Sequence, residues 1–410
     1  MNPKIIFYIL ISILIIKFIL DTIIDAINAK HFNDKIPAEL NGIYNEEEYL
    51  KSQAYKKENY KFSMFTSFFS ITTTLLFFFM DGFAFVDQIA KSITTNTILI
   101  PLVFFGIIMF ANDILHLPFS YYKTFVIEEK FGFNKTTKKT FVLDKLKGWL
   151  MLVIFGGGLL ALITWFYQLT TNSFWLYAWA LITLFSIFMN LFYSKLIVPL
   201  FNKQTPLEDG ELKNEIENFA KKIGFKINNI FVIDGSKRST KANAYFSGFG
   251  SQKRITLFDT LINNLETEEI VAVLAHEVGH YKKKHILYNL LASIILTGAT
   301  FYILSLLVGN TSLSQALGVQ TASFHIGLIA FGILYSPISE ITSLLMNILS
   351  RKFEYQADDF AKYNFSANPL ITALKKLSKN SLSNLTPASI YVKIHYSHPT
   401  LLQRIINLKK

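Results

Sequence analysis

Apolar residues in this chain gather into blocks, and seven of the blocks are close to the roughly twenty residues a helix needs to cross a hydrocarbon core. They lie near 5–24, 62–85, 97–115, 148–168, 174–194, 285–308 and 325–349. The pattern predicts seven membrane-spanning helices. The first block, Ile5 through Leu20, is long for a secretory signal, carries Lys17 and is followed by no A-x-A-like site, so it reads as a retained span. Between the fifth and sixth blocks the pattern changes. Leu212 to Ile223 sets apolar residues at helical spacing among Glu and Lys. Ile230–Ile233, followed by Asp234-Gly235-Ser236, reads as a strand entering a turn, and Arg254–Phe258 as a second short strand. The expected organisation is five spans with their loops over 1–194, a small folded region over 195–284, two spans over 285–350 and a tail over 351–410. The fold class is mainly α and polytopic, with a small β element.

The lysines sort the loops. Before the first span stands only Lys4, whereas Lys30, Lys35, Lys51, Lys56, Lys57 and Lys61 precede the second. Lys91 is alone in the next gap. Lys123, Lys130, Lys135, Lys138, Lys139, Lys145 and Lys147 fill the one after, and none falls between the fourth and fifth spans. Region 195–284 is again rich in Lys, 309–324 has none, and the tail from Arg351 is basic. Loops that stay in the cytoplasm hold the excess of Lys and Arg, so this alternation puts the N-terminus outside and 195–284 and the tail in the cytoplasm. The formal charge of +11 is therefore topological and implies no nucleic-acid partner. A composition 51% apolar and only 17% charged excludes disorder and argues against a purely soluble protein. With no Cys there is no thiolate metal cage and no cysteine nucleophile, so any metal site must use His, Asp or Glu.

Such residues stand just before the sixth span. Ile270–Leu274 is an apolar helical run that Thr267 can cap, with Glu268 and Glu269 at the positive end of its dipole, and it continues into His276-Glu277-Val278-Gly279-His280. Residues four apart share a helix face, so both imidazoles can reach one zinc ion while Glu277 stands beside it to polarise water. Catalytic zinc takes three protein ligands and keeps one position open. The metzincin pattern fails, because Lys283 and Ile286 occupy the places of its Gly and His, and His285 is too far round the helix to be the natural third ligand. Four acids remain downstream: Glu340, Glu354, Asp358 and Asp359. Glu354 and Asp358 share a helical face, so Glu354 is assigned to the metal and Asp358 to the free ring N–H of a ligating His. Glu340 is the rival, since a carboxylate inside a span is expensive; its alternative role is to face a wet cavity.

Two other places carry weaker signals. His395 and His398 flank Tyr396-Ser397, with Pro399 and then Arg404 after them, and either His can be a surface residue or a donor to a developing oxyanion. Asn243-Ala244-Tyr245 lies between the two candidate strands. A sheet edge there can hold an extended peptide by strand addition, with Asn243 or Tyr245 as donors, and an ordinary turn is the plainer reading.

Taken together, HEVGH, RKFEYQAD from Arg351, NAYFSGFG from Asn243, NKQTPLEDGEL from Asn202 and HPTLLQR from His398 resemble the integral-membrane CAAX prenyl endopeptidases of type 1 over nearly the whole chain. The resemblance implies seven spans around a water-filled chamber, with one zinc ion bound by His276, His280 and Glu354 on the cytoplasmic side. It makes Glu277 the general base, places His398 and Asn243 at the transition state, and includes Arg404 in the family pattern. The implied partners are membrane lipid and a peptide or protein substrate, lipidated or not, in the inner membrane of a bacterium or the endoplasmic reticulum of a eukaryote. Three rivals are weaker. A heat-shock type quality-control protease has fewer spans before its motif, a transporter with an incidental motif does not account for Lys282–Lys284 beside it, and a site-2 protease needs a D-G pair in a later span.

Overall fold

In the computed structural model, which describes residues 2–170, 173–225, 230–247 and 254–410, seven helices are long and apolar enough to cross a membrane. They are Pro3–Lys30, Glu46–Phe79, Leu99–Glu128, Lys138–Thr170, Phe174–Phe201, His285–Leu307 and Phe324–Asn364. Large apolar side chains such as Phe65, Leu184 and Ile295 stand exposed on them, as they do where lipid is the solvent. The second block ends earlier than its hydropathy suggests. Asp81 adopts a left-handed conformation, φ 52°, and the chain leaves into a separate helix, Gly82–Ile93. Several spans outrun their blocks because polar turns continue the same backbone hydrogen bonding beyond the apolar stretch. The longest case is the seventh, whose 41 residues carry it from the apolar region through the Arg351–Asp358 run without a break.

Glu340 lies on this helix beside the first span, where its carboxylate pairs with Lys17, and Lys17 Nζ is also 3.4 Å from Asp21 Oδ2. The side chains of this trio are 42–58% exposed. Charges so placed inside spans pair with one another and face a wet interior rather than lipid. Glu340 is therefore occupied by Lys17, and it is not the carboxylate that meets the two histidines of the motif.

At the ends of the spans and between them, one hydrophobic core gathers distant parts of the chain: Leu40 and Tyr44 after the first span, Ile127 and Phe133 at and just past the end of the third, and Ile216, Leu257, Ile270 and Leu274 from the central region. Ala361, Leu370, Ile405 and Leu408 from the C-terminal part complete it. The predicted helix is present as Glu211–Lys222, and both predicted strands sit in a four-stranded sheet. In that sheet β1 (Gln204–Pro206) pairs antiparallel with β2 (Ile230–Ile233), β2 pairs parallel with β4 (Arg254–Phe258), and β3 (Ala244–Ser247) lies antiparallel on the outer side of β4. The HEVGH motif lies on the helix Thr267–Lys282, the motif helix below, with Glu268 and Glu269 in its first turn. Thr267 is not its cap. Glu266 holds that position because Glu269 reaches back, accepting the Glu266 N–H at 2.8 Å, and Thr267 is the first helical residue.

The motif helix packs directly on the seventh span. Gly279 makes the approach possible: a Cβ there would stand 3.0 Å from Phe360 Cβ and 3.1 Å from Ala357 Cα. With no side chain between the two backbones, residues flanking Gly279 on one helix meet residues flanking Ala357 on the other.

Candidate metal centre and active site

That contact brings His276 and His280 opposite Glu354 and Asp358. His276 Nε2 and His280 Nε2 are 3.1 Å apart. Glu354 Oε2 lies 3.4 Å from the first and Glu354 Oε1 3.3 Å from the second. Four ligands around zinc at its usual bond lengths of about 2.0–2.2 Å are about 3.3 Å from one another, so the triangle has the size of one face of a zinc site. The donor chemistry agrees. Glu354 Oε2 is buried with no hydrogen-bond partner, and two ring nitrogens face each other with no polar group between them. An orphaned carboxylate oxygen and opposed imidazoles are satisfied together by a cation placed among them. The residues present fit a divalent ion, and His276, His280 and Glu354 are the group that can hold it.

The support behind His276 is fully enclosed. Its Nδ1 donates to Asp358 Oδ1 at 2.8 Å, and Asp358 is completely buried. Arg404 closes the carboxylate from the other side, donating from Nε to Oδ2 at 2.9 Å and from Nη2 to Oδ1 at 2.6 Å. Arg404 Nη2 also approaches His276 Nδ1 at 3.2 Å. Both atoms are donors, so this is not a bond between them but two donors sharing Oδ1. Burial and the Arg404 charge push the imidazolium of His276 toward losing its proton, but the hydrogen bond to Asp358 and the nearby Glu354 carboxylate outweigh them, and its pKa is pushed up to about 9. The pocket thus favours positive charge even where the nearest cation is a proton.

His398 comes from the turn before the last helix, Leu401–Lys409, and its Nε2 lies 3.2 Å from Glu354 Oε1 with 63% of the side chain exposed. It stands at the open side of the group. Glu277, one residue beyond His276, is half-buried, and its charge is felt by Arg404. His395 ends the helix Ser389–His395, packed against the Tyr391 ring at 4.7 Å, away from these contacts.

Asn243 is exposed just before β3, and its side chain accepts the N–H of Ala244 at 2.9 Å. β3 is the outer strand among the described residues, which is the edge that strand addition requires. Alternation along it turns Phe246 toward the motif helix, where it meets Tyr281 at 5.3 Å, and Tyr245 the other way, its hydroxyl 3.5 Å from Ser194 Oγ. The Gly248–Gly250 end of the NAYFSGFG stretch lies outside the described residues. Sequence reasoning overlooked β3 as a strand, and it overlooked His285 and Gln356 as neighbours of the metal group. The signal for His285 was a break in helical phase at Lys284, which hydropathy does not register.

Comparison with known proteins covers both halves of the chain. Residues 26–203 match a family described as the CAAX prenyl protease N-terminal region of five membrane helices, and residues 206–410 match peptidase family M48. The chain is similar to the CAAX prenyl protease 1 homolog of Dictyostelium discoideum, 38% identical with 92% of this chain and 90% of that protein covered. It is 36% identical to the Arabidopsis thaliana homolog over 96% of this chain and 95% of that one. CAAX prenyl protease 1 of Saccharomyces cerevisiae is likewise 36% identical, over 91% and 88%. The crystal structure of S. mikatae Ste24p superposes with a TM-score of 0.94 at 34% identity, covering all of both chains. With two family regions end to end, whole-length relatives and a matching seven-helix architecture, this chain belongs to the CAAX prenyl protease 1 family of M48 metallopeptidases.

Proposed function

We propose that this integral membrane protein is a zinc endopeptidase that hydrolyses a peptide bond near the C-terminus of a membrane-associated, CAAX-type protein. The observation that carries the reading is the convergence of two imidazole nitrogens and an orphaned, buried Glu354 oxygen beneath the exposed ring of His398. The relatives named CAAX prenyl proteases support the substrate class. His276, His280 and Glu354 hold one zinc ion, which when bound supplies Lewis acidity to the carbonyl and acidifies water. Glu277 takes the proton of the attacking water as its oxygen bonds to the carbonyl carbon, and returns it to the leaving nitrogen as the C–N bond breaks. His398 Nε2 and the Asn243 amide donate to the oxyanion, and β3 receives the substrate backbone as an added strand. Asp358 holds His276 in the tautomer that frees Nε2, and Arg404 holds Asp358. Tyr245, on the opposite face of β3, supports that strand through Ser194.

The lysine alternation supports a site on the cytoplasmic side, with 195–284 and 351–410 as the cytoplasmic catalytic parts between and after the two groups of spans at 1–194 and 285–350. The test is Glu277→Gln. It should abolish hydrolysis of a CAAX peptide while stoichiometric zinc remains, and undiminished hydrolysis by that variant sinks the mechanism. Running the same assay on the peptide with and without its prenyl group reads whether the lipid is required.

A further inference from the structure

His285 is buried and is the first residue of the sixth span. On one continuous helix it would sit about 140° round from His280. The helix is not continuous. Lys284 passes through the left-handed region, φ 61°, and this turn brings the His285 ring back beneath His280. The ring stacks on Phe353, centroids 4.1 Å apart and planes within 10°. Its Nδ1 is 3.0 Å from His280 Nδ1, and its Nε2 is 2.8 Å from Gln356 Oε1.

Donor counting assigns the protons. An amide oxygen only accepts, so His285 Nε2 carries the hydrogen and donates to Gln356. A neutral imidazole has one N–H, which leaves a lone pair on His285 Nδ1 and requires His280 Nδ1 to be the donor across the 3.0 Å contact. The lone pair of His280 then lies on Nε2, the atom that faces His276 Nε2 and Glu354. We propose that His285 is a positioning residue of the metal centre. With Gln356 it forms a neutral relay, Gln356–His285–His280, that fixes the tautomer and ring orientation of His280, as Asp358 does for His276. Gln356 and Glu354 both belong to the seventh span, so one helix supplies a metal ligand and the far end of the relay that aims another. The proposal rests on the reading of His280 as a zinc ligand.

The experiment measures zinc affinity by chelator competition, and the cobalt(II) absorption spectrum, on the full-length protein in detergent. His285→Phe keeps the stack on Phe353 and removes both nitrogens. It should weaken zinc binding about tenfold or more, the usual range for a lost partner behind a ligating histidine, and shift the cobalt bands. His285→Gln supplies an acceptor and a donor again and should recover most of the loss. Gln356→Leu should weaken binding less than His285→Phe. Wild-type affinity and spectrum in folded His285→Phe overturn the relay; should that variant fail to fold, unchanged zinc affinity in Gln356→Leu does so instead. Zinc retained at full stoichiometry by His280→Ala would refute the metal-site reading itself, which is a different outcome.

Discussion

Arg404 comes no nearer to Glu354 than 3.9 Å and approaches the His276 ring only at Nδ1, on the side away from Nε2, yet its loss should be felt at the metal group through Asp358. Asp358 is fully enclosed and accepts from His276 Nδ1 at 2.8 Å and from Arg404 at 2.9 and 2.6 Å. Removing one partner of a buried, hydrogen-bonded charge pair costs about 3–5 kcal/mol, because the other charge is left without compensation. Arg404→Met still leaves the carboxylate one imidazole donor, so the lower end, about 3 kcal/mol, is expected. Asp358→Asn strands the guanidinium and should cost a similar amount. The double substitution removes both charges, so its total should stay near 3 kcal/mol, which is a coupling of about 3 kcal/mol between the two sites. The assay is denaturant unfolding of the metal-free variants in one detergent, combined in a double-mutant cycle. Zinc dissociation constants measured on the same samples add a second readout. Asp358→Asn should weaken zinc about 10–100-fold, and Arg404→Met should weaken it in the same direction but less. Stability effects that add within about 0.5 kcal/mol would show that Arg404 and Asp358 are not one unit. Lost activity with unchanged zinc affinity and stability would instead place Arg404 on the substrate.

The helix contact offers a separate test. Gly279→Ala forces a methyl against Ala357 and Phe360, and should destabilise the protein by about 1–3 kcal/mol, as overpacking does, while lowering zinc affinity because His280 and Glu354 move apart. A variant as stable and as metal-loaded as the wild type would refute the role given to that contact. Metal content after Glu354→Ala should fall to near zero, whereas Glu340→Gln should leave it unchanged; the reverse result would return Glu340 to the ligand set. His398→Ala should lower kcat by about 100–1,000-fold, the scale of one lost oxyanion donor, with zinc content intact. An equal rise in KM with kcat unchanged would make His398 a substrate-binding group instead.

The seven spans were legible because a hydrocarbon core imposes a length and a composition that no shorter-range preference overrides. The motif was legible for a similar reason, since an i,i+4 pair needs only a helix to place both imidazoles on one face. Glu354 was harder. Elimination among four acids and the spacing to Asp358 pointed to it, and Glu340 stayed open until its pairing with Lys17 was visible. The short strands β1 and β3 escaped notice because three or four residues carry too little alternation to stand out. Thr267 was misread as a cap for a local reason: Glu266, a less favoured capping residue, is held in place by the carboxylate of Glu269.

By itself, then, the sequence determined the number of spans and the pair of imidazoles on one helical face, both of which follow from interactions within a few turns of chain. The tertiary structure decided which carboxylate meets them, and how the rings are aimed. Gly279 lets two helices about 75 residues apart in the chain touch, Arg404 arrives from the last helix to neutralise Asp358, and the left-handed turn at Lys284 swings His285 under His280. These depend on a backbone approach, a side-chain pair far apart in the chain and a single dihedral angle, and none of them leaves a period in the residues that could be read along the chain.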